Sequence, residues 1–124
     1  MKIQESAEDY LEAILHISQT KDYVRAIDVV HHLGISKPSV SVYLKNLKAN
    51  GYINISENGH LSLTETGAEI ANKIYERHNT IAEFFISIGV EHDTAYRDAC
   101  RVEHDLSDEC FAALKKHFFE SNPK

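Results

Sequence analysis

Residues 26–63 read AIDVVHHLGISKPSVSVYLKNLKANGYINISENGHLSL, and this stretch decides the fold. Ser36 is a natural helix N-cap, because its hydroxyl can accept from an amide N–H left unpaired in the first turn. Pro38 follows inside that turn, where a missing N–H costs little. Val40, Leu44 and Leu47 then recur at helical spacing as one apolar stripe, and Asn50-Gly51 closes the helix. Gly34, at ease with positive φ, ends a preceding helix expected over 26–32, with Ile27, Val30 and Leu33 inward. Beyond Gly51, the runs 52–55 and 60–63 alternate around Glu57-Asn58-Gly59, and Asn-Gly between such runs signals a hairpin.

Upstream, Ala7, Tyr10, Leu11, Ile14 and Leu15 mark residues 5–19 as an amphipathic helix. Lys21-Asp22-Tyr23 breaks the pattern. Helix, helix, helix and hairpin in that order make a winged helix-turn-helix domain over 1–63. Downstream, Thr64 opens a mainly helical second half, 64–124. Ile70, Ile74, Ile81, Phe84, Phe85 and Ile88 predict a helix reaching Gly89, with a bend where His78-Asn79-Thr80 interrupts the stripe. Asp93-Thr94 is expected to cap a further helix, and Ser107 a last one over 108–119 carrying Phe111, Leu114 and Phe118. These helices are too few and too apolar to complete a monomeric core, so a second copy of the same surface is the expected partner, giving a homodimer.

In a helix-turn-helix the second helix enters the major groove of double-stranded DNA. Turning Val40, Leu44 and Leu47 inward sends Pro38, Ser39, Ser41, Val42, Lys45 and Asn46 outward. Pro38 and Val42 suit a thymine methyl, and the serines suit base edges or phosphates. Lys37, Lys45 and Lys48 suit phosphates. Such residues also occur as plain exposed polar surface, and it is the complete motif that favours DNA. Tyr43 flanks the stripe and could pack or face DNA. The net charge of −6 is unusual for a DNA binder, but residues 20–60 carry five Lys or Arg against three acidic residues. The acidic excess lies elsewhere, which suits a cation site and aids solubility.

Composition is that of a folded globular chain, 43% hydrophobic and 26% charged over 124 residues. No apolar run approaches a membrane span and no signal segment opens the chain, so a cytoplasmic location is expected. Two cysteines without a CxxC exclude a disulfide scaffold and a zinc ribbon. Cys100, Glu103 and His104 recur at i, i+3 and i+4, on one side of a helix. Thiolate, carboxylate and imidazole together suit a divalent transition metal. Singly each has a plainer reading: a lone Cys is commonly a small buried hydrophobe. Asp9 and Glu12 near a helix N-terminus favour the helix dipole on their own.

Four segments, Ser6-Ala-Glu-Asp-Tyr-Leu-Glu12, Lys37-Pro-Ser-Val-Ser41, Arg77-His78 and Asp98-Ala-Cys-Arg-Val-Glu-His104, resemble the DtxR/MntR family of metal-dependent repressors over essentially the whole chain. The resemblance implies Asp9, Glu12, His78, Cys100, Glu103 and His104 as metal ligands. It also implies a homodimer whose paired winged helices bind a palindromic operator and repress metal-uptake genes. Members of the manganese branch carry a carboxylate at the Cys100 position, and members of the iron branch a methionine at the Asp9 position. The set is therefore a hybrid: Fe²⁺ is favoured slightly over Mn²⁺, with Zn²⁺ and Co²⁺ able to bind in vitro. Ala82 and Tyr96 stand where the iron branch has ancillary ligands, which argues against that second site. The chain ends before the SH3-like domain of longer members.

Two other classes of protein fit parts of this sequence. A winged-helix regulator could answer a small organic ligand or the oxidation of Cys100. A His/Glu/Cys site could also activate water in a metallohydrolase, but no phosphate loop, nucleophile motif or substrate-pocket signal accompanies it, so no enzyme is expected. His31, His32, His60, His92 and His117 are scattered and read as surface residues.

Overall fold

A computed structural model describes residues 5–121. The chain forms two compact units, one up to Lys73 and one from Ile74 onward. In the first, α1 (Glu5–Ser18), α2 (Ala26–Leu33) and α3 (Lys37–Ala49) precede a hairpin of β1 (Ile53–Ile55) and β2 (Leu61–Leu63). Ser36 caps α3, its hydroxyl accepting from the Ser39 amide, and Gly34 closes α2 at φ 68°. Val40, Leu44 and Leu47 are all buried, packed with Leu11, Ile14, Val29 and Ile53. The winged helix-turn-helix arrangement is thus as the sequence dictates.

Two details differ. Ile27 is exposed, and Val29 takes the core position on α2. The 27, 30, 33 spacing drifts around a 3.6-residue helix, whereas Ala26, Val29, Val30 and Leu33 stay on one side. In the hairpin, Ile53 pairs with Leu63 and Ile55 with Leu61. The Ser56 amide donates to the His60 carbonyl and Gly59 alone adopts positive φ, 78°, so Glu57-Asn58-Gly59 makes a three-residue connection. The Leu61 amide donates to the Val24 carbonyl at 2.7 Å, which holds the wing to the segment before α2.

Helix α4 (Glu65–Ser87) begins in the first unit. Its entry is tied to the hairpin: Thr64 Oγ1 donates to the Gly51 carbonyl at 2.7 Å and accepts from the Gly67 amide at 3.1 Å. Gly67 packs so closely that a Cβ there would lie 2.0 Å from the Tyr52 carbonyl oxygen.

The second unit contains the rest of α4, α5 (His92–Val102) and α6 (Asp108–Ser121). Ile81, Ala82, Ala99 and Phe111 form its buried centre. The expected bend at His78-Asn79-Thr80 is not found: α4 is continuously helical there. In this stretch Arg77 and Thr80 are buried, and Arg77 and His78 reach polar partners at the end of α5 and in the turn before α6. The cap of α5 is Glu91, whose carboxylate accepts from the Thr94 amide at 3.0 Å, and not Asp93-Thr94, which lie inside the first turn. The Ser107 hydroxyl accepts from the Cys110 amide at 3.0 Å and starts α6 as the sequence suggests. Among the described residues no helix is long and apolar enough to cross a membrane.

Candidate metal centre and nucleic-acid interface

His78 on α4 meets Cys100 and Glu103 at the end of α5. One ligand atom from each lies within 4.8 Å of the others. His78 Nδ1 is 3.0 Å from Glu103 Oε2 and 3.6 Å from Cys100 Sγ. Helix α5 ends at Val102, so Glu103 and His104 lie just beyond it and not within one uninterrupted helix. Glu103 keeps helical φ and ψ (−57°, −31°), and this preserves the one-turn relation to Cys100. Cys100 is exposed, contrary to the usual buried reading of a lone cysteine.

Glu103 is the unusual residue. It is wholly buried, and its Oε1 has no hydrogen-bond partner. His104 Nε2 lies 3.4 Å from that oxygen, close enough for attraction but outside hydrogen-bond alignment. A buried carboxylate oxygen without a partner is costly unless a cation or proton answers it. His78 is already shifted in response: its hydrogen bond to Cys100, then that to Glu103, pushes its pKa up to about 10 against the opposing effect of burial. A proton there does for the anions what a divalent cation would do more fully. Oxygen, nitrogen and sulfur donors in reach of one point, with a carboxylate oxygen to spare, fit a divalent transition metal.

Arg77 belongs to the Arg77-His78 segment, but its role is visible only in three dimensions. Its guanidinium is buried, donates to the Glu103 carbonyl at 3.0 Å and the Leu106 carbonyl at 2.8 Å, and pairs with Asp108. It also lies 5.0 Å over the Phe111 ring. It thereby fastens to α4 the turn that carries Glu103 and His104. The signal available in sequence was an arginine beside a candidate ligand on an otherwise apolar helix. Tyr96 packs against the His78 ring at 5.3 Å and donates to Glu83 Oε1 at 3.2 Å.

Asp9 and Glu12 lie one turn apart on α1, both partly buried, in the first unit. The adjacent Tyr10 stacks on Tyr43 of α3 at 4.4 Å. Tyr43 is thus packed, and burial, with the Asp9 charge added, raises its phenol pKa. On α3, Lys37, Pro38, Ser39, Ser41, Val42, Lys45, Asn46 and Lys48 are all exposed. Ser39 Oγ accepts a 2.9 Å hydrogen bond from Ser36 Oγ.

A helix-turn-helix and wing followed by a helical unit with an N/O/S cluster define a class, a DNA-binding regulator with a metal centre. Comparison with known proteins agrees. Residues 2–61 match the iron dependent repressor, N-terminal DNA binding domain. Residues 64–123 match the iron dependent repressor, metal binding and dimerisation domain. The transcriptional regulator MntR of Escherichia coli O157:H7 is 32% identical over 112 residues, covering 90% of this chain and 72% of its own. An HTH-type transcriptional regulator of Methanocaldococcus jannaschii is 36% identical over 115 residues, covering 91% of this chain and 92% of its own. Among solved structures, T. acidophilum IdeR superposes with TM-score 0.79 at 27% identity, over 95% of this chain and 55% of that one. A manganese-dependent transcriptional repressor in complex with manganese gives TM-score 0.83 at 25% identity, over 90% and 51%. The chain spans about half the length of these solved structures. It belongs to the DtxR/MntR family of metal-dependent transcriptional regulators, which are not enzymes.

Proposed function

We propose that this chain is a metal-activated repressor that binds a palindromic operator as a homodimer and governs iron or manganese homeostasis in the cytoplasm. The observation that carries the reading is the buried Glu103 carboxylate, one oxygen unpartnered, beside His78 and Cys100. Residues 1–63 would read DNA and residues 64–124 would dimerise. Asp9, Glu12 and His104 would complete the ligand set with His78, Cys100 and Glu103. The bound divalent cation supplies the positive charge that allows these anionic side chains to converge. Residues of α1 would pass the effect on, since Tyr10, next to Asp9, stacks on Tyr43 of α3. Fe²⁺ is the ion best served by this set: the Cys100 thiolate and the two imidazoles favour it over Mn²⁺, while Asp9 and Glu12 keep Mn²⁺ competent. Zn²⁺ and Co²⁺ would bind in vitro.

On DNA, Lys37, Lys45 and Lys48 would hold phosphates, and Pro38, Ser39, Ser41, Val42 and Asn46 would face the bases. DNase I protection of the region upstream of the protein's own gene tests this reading. Protection of an inverted repeat with Fe²⁺ or Mn²⁺, absent with chelator, is expected; no protection under any metal would contradict it. The exposure of Cys100, 3.6 Å from His78, supports one rival, control by thiol oxidation. That reading requires peroxide-sensitive binding with chelator present.

A further inference from the structure

The first unit brings a second pair of imidazoles together. His16 in the last turn of α1 and His32 in the last turn of α2 approach to 5.4 Å between ring centroids, with planes inclined by 46°. They line an open cleft of about 340 Å³ with Ile17, Thr20, Lys21, Asp28 and His31. Among the described residues neither ring makes a hydrogen bond or an ion pair. The acidic group of the cleft is already committed, since Asp28 accepts from Lys21 Nζ at 2.6 Å and from the Arg25 amide at 2.9 Å. Two helix C-terminal turns favour positive charge, yet here two basic rings face each other, and burial together with the His16 charge lowers the His32 pKa. That shift favours the neutral form of His32, whose ring then has a lone pair to offer.

Two imidazoles bound at about 2.0 to 2.1 Å to one ion at a tetrahedral or right angle place their centroids roughly 5 Å apart. The observed separation matches that chelate. We propose that His16 and His32 form a second metal site, bridging α1 and α2 and completed by water, for a borderline divalent ion such as Zn²⁺, Ni²⁺ or Cu²⁺. Two nitrogen donors without a protein carboxylate select these ions over Mn²⁺. The site is separate in residues and in ion preference from the His78 centre, and it would clamp the first two helices of the DNA-binding unit.

The test uses the full chain carrying His78→Gln, Cys100→Ser and His104→Gln, which removes the nitrogen and sulfur donors of the other centre, with Cu²⁺ alone as probe. Electron paramagnetic resonance should report one ion with two coordinated nitrogens. His16→Gln and His32→Gln should each weaken that binding by roughly tenfold or more, since even an outer partner of a metal ligand is worth that much. Both positions are exposed, so the variants fold, and His60→Gln on the wing serves as the unchanged control. A Cu²⁺ signal unaltered in both His16→Gln and His32→Gln, or lost equally in His60→Gln, would overturn the assignment.

Discussion

At the residue scale, the proposed metal centre rests on the cost of burying Glu103. Its unpartnered oxygen and the raised pKa of His78 describe a pocket that favours positive charge. The sign follows directly. His78 has a folded value of about 10 against an ordinary 6.5, so its contribution to stability is fully present below pH 6.5 and is lost as pH rises toward 10. Metal must displace the His78 proton. Metal binding between pH 7 and 9 should therefore release it, and affinity should climb with pH; calorimetry in buffers of different ionisation enthalpy would show this, and a proton count of zero would contradict it. Arg77 acts on the same pocket without touching a metal ligand's donor atom. Arg77→Lys keeps the charge but not the planar fork that reaches the Glu103 and Leu106 carbonyls together. It should lower metal affinity by about 10- to 100-fold with the fold retained by circular dichroism, as expected for loss of a ligand's support.

At the element scale, the junction of wing and α4 leaves no room for a side chain at position 67. Gly67→Ala would place a methyl against the Tyr52 carbonyl, a rigid group, and should destabilise the protein by about 1 to 3 kcal/mol in urea unfolding. Elements whose signal is local were legible in sequence. Ser36, Pro38 and the Val40-Leu44-Leu47 stripe specify α3 without help from the rest of the chain, and Asn58-Gly59 places the hairpin. Readings that depend on a tertiary partner were not legible. The polar run at His78 looked like a helix break because nothing local shows that Glu103 and Cys100 wait opposite it. The α5 cap was misplaced since Glu91, Asp93 and Thr94 all have capping chemistry, and only the backbone path chooses among them. The spacing of Cys100 and Glu103 was enough to place them one turn apart, whereas the work of Arg77 needed the α5–α6 turn to be seen. The Tyr10–Tyr43 stack belongs here too: Tyr43→Ala removes an aromatic pair worth about 0.5 to 1.5 kcal/mol. It should reduce the metal-induced gain in DNA affinity while leaving metal affinity at the His78 centre nearly unchanged, measured by parallel titrations with and without DNA.

At the scale of the whole molecule, a net charge of −6 and a locally basic stretch around α3 make DNA binding conditional. Non-specific affinity should be weak, and specific binding should fall steeply with salt because phosphate contacts release counterions. Lys45→Ala should weaken binding to all sequences alike and reduce the salt slope by about one. The central claim is that a divalent ion held at His78, Cys100 and Glu103 switches the winged helix to its DNA-binding state. Anaerobic fluorescence anisotropy tests it most directly, with duplex DNA from the protein's own upstream region at fixed salt and with chelator, Mn²⁺ or Fe²⁺ present. Metal should tighten binding of the native protein by roughly 5- to 150-fold and leave Glu103→Gln unmoved. Equal binding by the native protein in chelator and in metal would contradict the account.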